Sequence, residues 1–242
     1  MQTMKLLRIF SLLLAVLLMV ACNKDDDQAT GVGDVVVVSK QSGTATVYGI
    51  SIYAYSLSAF SSVSVTGPDK TYQLKASEGN FYYETPLEAF SVTKPATGTY
   101  DFSANFKNGV KQDFQNTLTD QILPVPTFYK CEYNLVKHQL ELYWAFINGA
   151  ASYAVNIFDG ENLVFRTGEL KSNVFNTNEP LNEFHEAYAF VRASGSGWAA
   201  GFTPVPGKTY TVRVFAYMYE PGGGIYNIQS ISMADHPVTW GD

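Results

Sequence analysis

The 242-residue chain has little of what most catalytic or disulfide-stapled proteins rely on. It has only two cysteines, Cys22 and Cys131. Three histidines, His138, His185 and His236, lie far apart and form no H-x-x-H or H-E-x-x-H pair, so no zinc-ligand spacing exists. Charged residues make up only 16%. The formal net charge is −6, which disfavours nucleic acid and anionic lipid surfaces as partners. Ser194-Gly195-Ser196-Gly197 misplaces the glycines of a G-x-S-x-G nucleophile turn. Gly222-Gly223-Gly224 is followed by neither Lys-Ser/Thr nor a helix start, which excludes a phosphate loop. No pair of carboxylates marks itself out for acid–base work. No catalytic residue, metal ligand or cofactor is therefore assigned. An enzyme stays open only as a reading that requires a cleft with converging polar groups.

The longest apolar run is also short. Ile9 to Val20 holds twelve uncharged residues behind Lys5 and Arg8. As a helix it would reach about 18 Å, against a hydrocarbon core of about 30 Å. That suits the core of an export signal better than a membrane span. Met19-Val20-Ala21-Cys22 follows and resembles the lipobox of bacterial lipoproteins. The resemblance implies cleavage after residue 21 and lipid on Cys22. Asn23-Lys24-Asp25-Asp26-Asp27 resembles the export signal of Bacteroidetes surface lipoproteins, and the same acidic run also serves as a solvated spacer. Residues 1–21 are thus read as signal peptide and 22–33 as a flexible tether. The expected location is the outer membrane, with the chain exposed at the cell surface. Losing Lys5 and Arg8 takes the mature chain to −8. With Cys22 lipidated, Cys131 has no partner for a disulfide, so the fold must rest on its cores. Cys131 itself is expected as a small buried apolar residue.

What is abundant is aromatic and strand-forming. Aromatics make up 14%, with 16 Tyr and 16 Phe. Tyr100, Phe102, Ala104 and Phe106 alternate, and Asn108-Gly109 then supplies a hairpin turn. Leu140, Leu142 and Trp144 alternate ahead of Asn148-Gly149, and Tyr153, Val155 and Ile157 after it. Pro206-Gly207 leads into Tyr210, Val212 and Val214. The second half resembles a fibronectin type III or immunoglobulin-like domain, and the first half does so more weakly. The resemblance implies an all-β chain of two immunoglobulin-like β-sandwich domains in tandem, at 34–119 and 128–242, with a linker at 120–127. It also puts Tyr100 and Tyr210 at tyrosine corners. Residues 177–204 are an insertion. In it Leu181, Phe184, Tyr188 and Val191 fall at spacings of three, four and three, which predicts a helix over about 180–192, with two short strands as the rival assignment.

The candidate ligand-binding residues are aromatics next to glycine loops: Trp198, Tyr217, Tyr219 and Tyr226. The alternative for Trp198 is a ring folded back onto the core. The loops at Gly149 and Gly222 are expected to share one end of the second sandwich, the membrane-distal end if the domains stack in line. Three functions follow. One is a non-catalytic surface lipoprotein acting as a binding or structural module, accessory to glycan capture. The second is an adhesin or envelope-assembly component that binds protein. The third is the enzyme noted above.

Overall fold

The computed structural model describes residues 30–78, 80–171, 186–221 and 227–241. Cys22, Tyr226 and the first half of the expected helix lie outside them. The chain is all-β. The first unit holds β1 (Gly31–Ser42), β2 (Ala45–Ser56), β3 (Phe60–Thr66), β4 (Thr71–Gln73), β5 (Lys75–Ser77), β6 (Asn80–Glu84), β7 (Gly98–Phe106) and β8 (Lys111–Leu118). The second holds β9 (Phe128–Asn134), β10 (Gln139–Ala145), β11 (Ser152–Asp159), β12 (Asn162–Arg166), β13 (Leu170–Lys171), β14 (Glu186–Val191), β15 (Thr209–Tyr219) and β16 (Ile228–Thr239).

One nine-stranded sheet runs through both units in the order β12-β11-β15-β16-β1-β2-β6-β5, with β13 also paired to β11. A four-stranded sheet, β4-β3-β7-β8, packs on its first half. A three-stranded sheet, β14-β10-β9, packs on its second half. Two separate hydrophobic cores result, one around Val35, Ile52, Tyr100 and Phe102, the other around Leu142, Trp144, Tyr153 and Val214.

The units are joined by a parallel pairing of β1 with β16, Val37 opposite Ser230 through Lys40 opposite Met233. A bulge between Met218 and Tyr219 leaves Gln229 without a ladder partner on β15. Gln229 instead bonds the backbone of Thr119 and Gln121. Ser230 Oγ accepts from the Leu123 N–H at 3.1 Å, and Ser232 Oγ donates to the Pro124 carbonyl at 2.8 Å. The segment between the cores is thus stitched along β16 rather than hanging free.

Two expectations are corrected. Residues 31–33, read as tether, belong to β1 and pair with Ala54 to Ser56. Gly33 is glycine for a steric reason: a Cβ there would lie 2.5 Å from the Phe102 ring. The polar, glycine-containing composition that resembles a linker is a seat for a core ring. The helix expected over 180–192 is a strand from residue 186 onward. Ala187, Ala189 and Val191 turn inward, while Tyr188 and Phe190 turn out. That period of two satisfies the open edge of β10, whose Leu140 to Ala145 pair with Val191 to Glu186. Of the residues in the three-four-three spacing, Tyr188 faces out and Val191 in, while Leu181 and Phe184 lie outside the described residues.

Candidate functional site

Trp198 lies apart from Tyr217 and Tyr219, and Tyr226 lies outside the described residues. Trp198 packs among Phe165, Phe202 and Trp240, with ring centroids 4.8, 5.5 and 5.5 Å away. Its Nε1–H donates to the Arg192 carbonyl at 2.8 Å. Gly197 beside it has φ +103°, and a Cβ there would meet the Arg166 carbonyl oxygen at 2.4 Å, so the loop presses directly onto β12. Trp198 thus seals the second core.

Tyr217 and Tyr219 point from the outer face of β15. Burial pushes the Tyr217 hydroxyl up to about 12. The Tyr219 hydroxyl bonds Glu169 and, at 2.9 Å, Ser152. Burial, then the Glu169 contact, raises its pKa, and the same hydrogen bond lowers that of Glu169. Trp240 follows Thr239, which pairs with Thr209 at the far end of the 11-residue β15. Trp198 also bridges Phe165, whose partner Ile157 lies opposite Val212, so Trp198 and Tyr219 are roughly 20–30 Å apart along the strand.

The Gly222 loop lies outside the described residues. The turn at Gly149 marks one end of the second sandwich, where the Ala151 N–H bonds the Tyr217 carbonyl. That end abuts the first unit, where Asn116 Nδ2 donates to Glu220 at 3.0 Å and the Ile228 N–H to Asp34 at 2.9 Å. The shared sheet places the units side by side at this seam. The Tyr100 hydroxyl donates to the Ala96 carbonyl at 2.7 Å, and the Tyr210 hydroxyl accepts from the Val205 N–H at 2.9 Å. Cys131 lies against the second core, where burial pushes its thiol up to about 12. At neutral pH that is a protonated, unreactive thiol.

A different aromatic group stands out on the outer face of the three-stranded sheet. Tyr143 on β10 lies opposite Tyr188 on β14, with Phe190 two residues further along β14. Their ring centroids are 6.0 Å (Tyr143–Tyr188), 5.9 Å (Tyr143–Phe190) and 5.3 Å (Tyr188–Phe190) apart. Tyr188 is 54% and Phe190 46% exposed. A contiguous exposed aromatic patch of this kind is where a partner is to be sought. The inward neighbours on β14 are the small Ala187 and Ala189, so the large side chains sit on the solvent face. A legible signal existed: E-A-Y-A-F-V alternates small with aromatic, the reverse of an ordinary half-buried strand.

Beside the rings lies a charged network centred on Glu141, which is 3% exposed. Lys130 reaches it at 2.8 Å, Lys137 at 3.0 Å, Asn134 at 3.1 Å and Gln139 at 3.2 Å. Arg192 in turn donates to Gln139 at 3.2 Å. The Lys130 ammonium also sits 6.0 Å from the centre of the Tyr143 ring. Among the described residues no group of three or more His, Cys, Asp or Glu is placed to hold a metal ion. None of their helices is long and apolar enough to cross a membrane.

No family model matches the sequence, and no curated protein does. Solved structures are similar only at low level, two of them as follows. One is the BSP domain of a biofilm-associated protein, 8% identical, with a TM-score of 0.25 over 90% of this chain and 53% of that one. The other is a tetra-tandem repeat from the extending region of a large adhesion protein, 16% identical, with a TM-score of 0.23 over 86% and 49%. This chain spans about half the length of each. Neither likeness assigns a family. The functional reading rests on the site alone.

The Glu141 network makes one pH-dependent prediction. Hydrogen bonds from Lys130 and then Lys137 hold the Glu141 carboxyl at about 2, below its ordinary 4.5. The stabilisation is complete above 4.5 and is lost as pH falls from there toward 2. Glu141→Gln should therefore be less stable than the parent at pH 7, with the deficit shrinking at pH 2.5. Thermal unfolding at both pH values checks this, and an equal deficit at both overturns it.

Proposed function

We propose that this protein is a non-catalytic surface lipoprotein, cut before Cys22 and held in the outer membrane by lipid on that cysteine. It captures glycan on the face formed by Tyr143, Tyr188 and Phe190. The exposed ring group carries this reading. An aromatic face is electron-rich and attracts the C–H groups on the apolar side of a pyranose. The Tyr143 and Tyr188 hydroxyls and the ion-paired rim add hydrogen-bonding groups around it. The two sandwiches act as a scaffold that holds this face on strands rather than on loops.

The anchor is read from the N-terminal sequence. Cys22→Ala should move the protein from the detergent phase to the aqueous phase in detergent partitioning of whole cells. A Cys22→Ala protein that stays in the membrane fraction overturns the anchor. Retardation of the protein by soluble polysaccharide in a native gel, lost in Phe190→Ala, checks the glycan face, and retardation that Phe190→Ala leaves unchanged overturns it.

A second reading is adhesion through another envelope protein. It is favoured by β14, which pairs only with β10 among the described residues and carries two of the rings on an open sheet edge. Such an edge accepts an added strand. A stable complex recovered from envelope extract, and lost in Phe190→Ala, would support it over glycan.

A further inference from the structure

Resting on the reading of this face as the binding surface, we propose that its ligand is an uncharged, soluble glucan of coiling conformation. Flat crystalline and acidic polysaccharides are excluded. The ring planes give the shape. Tyr143 and Tyr188 are inclined at 35°, Tyr188 and Phe190 at 35°, and Tyr143 and Phe190 at 70°. The two inclinations add, so the plane of Tyr188 is intermediate between the other two, while the three centroids form a compact triangle 5.3–6.0 Å on a side. A flat ribbon presents successive sugar faces in one plane and can lie on only one of the three rings at a time. A chain whose sugar faces rotate from residue to residue can meet several.

The surroundings give the charge. Lys130 is paired to both Glu132 and Glu141, at 3.0 and 2.8 Å, and Lys137 to Glu141 at 3.0 Å. These two cations are already neutralised by two carboxylates, and the third cation of the network, Arg192, is held on the neutral Gln139 amide at 3.2 Å. A polyanion would have to displace those carboxylates, against a chain whose overall charge is −6. Among the described residues the face has no walls: two of its rings lie on β14, which pairs only with β10 there, and both are exposed. It therefore takes the middle of a chain as readily as its end.

The test uses the full-length protein in detergent. It is run through native gels containing soluble α-1,4-glucan, β-1,3-glucan or polygalacturonate, and it is pulled down with microcrystalline cellulose. The variants are Tyr188→Ala, Phe190→Ala and Tyr188→Phe, with unchanged thermal unfolding as the control for folding. The expected result is retardation by one or both coiling glucans. Each alanine variant should weaken it roughly tenfold, and Tyr188→Phe should restore most of it. Retention only on cellulose or polygalacturonate, still lost in the alanine variants, overturns the ligand class and leaves the binding face standing. Loss of a protein partner in those variants, with no glycan retained, does the same. Retention that the alanine variants leave unchanged overturns both the ligand and the face.

Discussion

Trp144→Ala should destabilise the protein by about 3–5 kcal/mol. Trp144 is 1% exposed and points inward from the central strand of the three-stranded sheet. It meets Tyr153 edge-on, with ring centroids 5.5 Å apart. Tyr153 is fixed in turn, because its hydroxyl accepts the Ile147 N–H at 2.9 Å. That bond closes the turn between β10 and β11. Truncating the indole opens a large gap in this core, and the fixed Tyr153 limits how far the walls can collapse into it. Small domains are stable by only about 5–15 kcal/mol, so the loss is a large share of the whole. Trp144→Phe keeps an aromatic ring in the gap and should cost much less. Urea unfolding followed by circular dichroism is the measurement: a lower midpoint with an unchanged slope is expected. A loss below about 1 kcal/mol for Trp144→Ala would show that the indole is not the centre of this core. The variant also bears on the site, since Tyr143 is the next residue on the same strand. A loosened β10 should weaken ligand retention even where the exposed rings are intact.

The parts of the fold legible in the sequence were those set by period-two alternation. Tyr100, Phe102, Ala104 and Phe106 line one buried face of β7, and Leu140, Leu142 and Trp144 line that of β10. Alternation reports which face a residue takes. It says nothing about which strands meet. The parallel contact of β1 with β16 joins residues nearly 200 positions apart, Val37 with Ser230, and no local pattern signals it. Two misreadings had local causes. Gly31 and Gly33 look like a tether because glycine suits flexible chain, but here it makes room for the rings of Phe114 and Phe102. Over 186–191 the alanines are inward and the aromatics outward, so picking out the large apolar residues alone produced a helical spacing. Trp198 has glycine and alanine neighbours, which suit an exposed loop ring, but the same small neighbours let it fold down onto Phe165 and Trp240. Tyr143 sits between two core residues, Leu142 and Trp144, and alternation puts it on the open face.

A second large effect is expected at the seam between the units, and it depends on pH. Asp34 on β1 is 4% exposed. One carboxylate oxygen accepts the N–H of Ile228 at 2.9 Å, close to where the bulge interrupts the ladder of β16. Burial, opposed by that hydrogen bond and reinforced by the charge of Glu220, pushes the carboxyl from 3.8 up to about 7. Tyr53, opposite it on β2, is turned to Glu84 and brings no cation. Below pH 3.8 the group is neutral whether the chain is folded or not. Between 3.8 and 7 the folded protein keeps a proton that the unfolded chain has released, so stability falls as pH rises. At 1.36 kcal/mol per pKa unit the fall amounts to about 4 kcal/mol across the window, and it levels off above 7. Glu141 acts in the opposite sense and below 4.5, so the difference between parent and Asp34→Asn from pH 5 to 8 reads Asp34. Asp34→Asn keeps an oxygen for Ile228 and never ionises. It should match the parent near pH 4, be clearly more stable at pH 8, and lack the slope between. Urea midpoints at pH 5, 6, 7 and 8 decide it, and parallel slopes in parent and variant would refute the assignment. The carboxylate also borders the bond between Asn116 and Glu220, which ties the two units together. Charging Asp34 therefore strains the seam before either core, and the parent at pH 8 should exchange the Ile228 amide hydrogen sooner than those deep in β15.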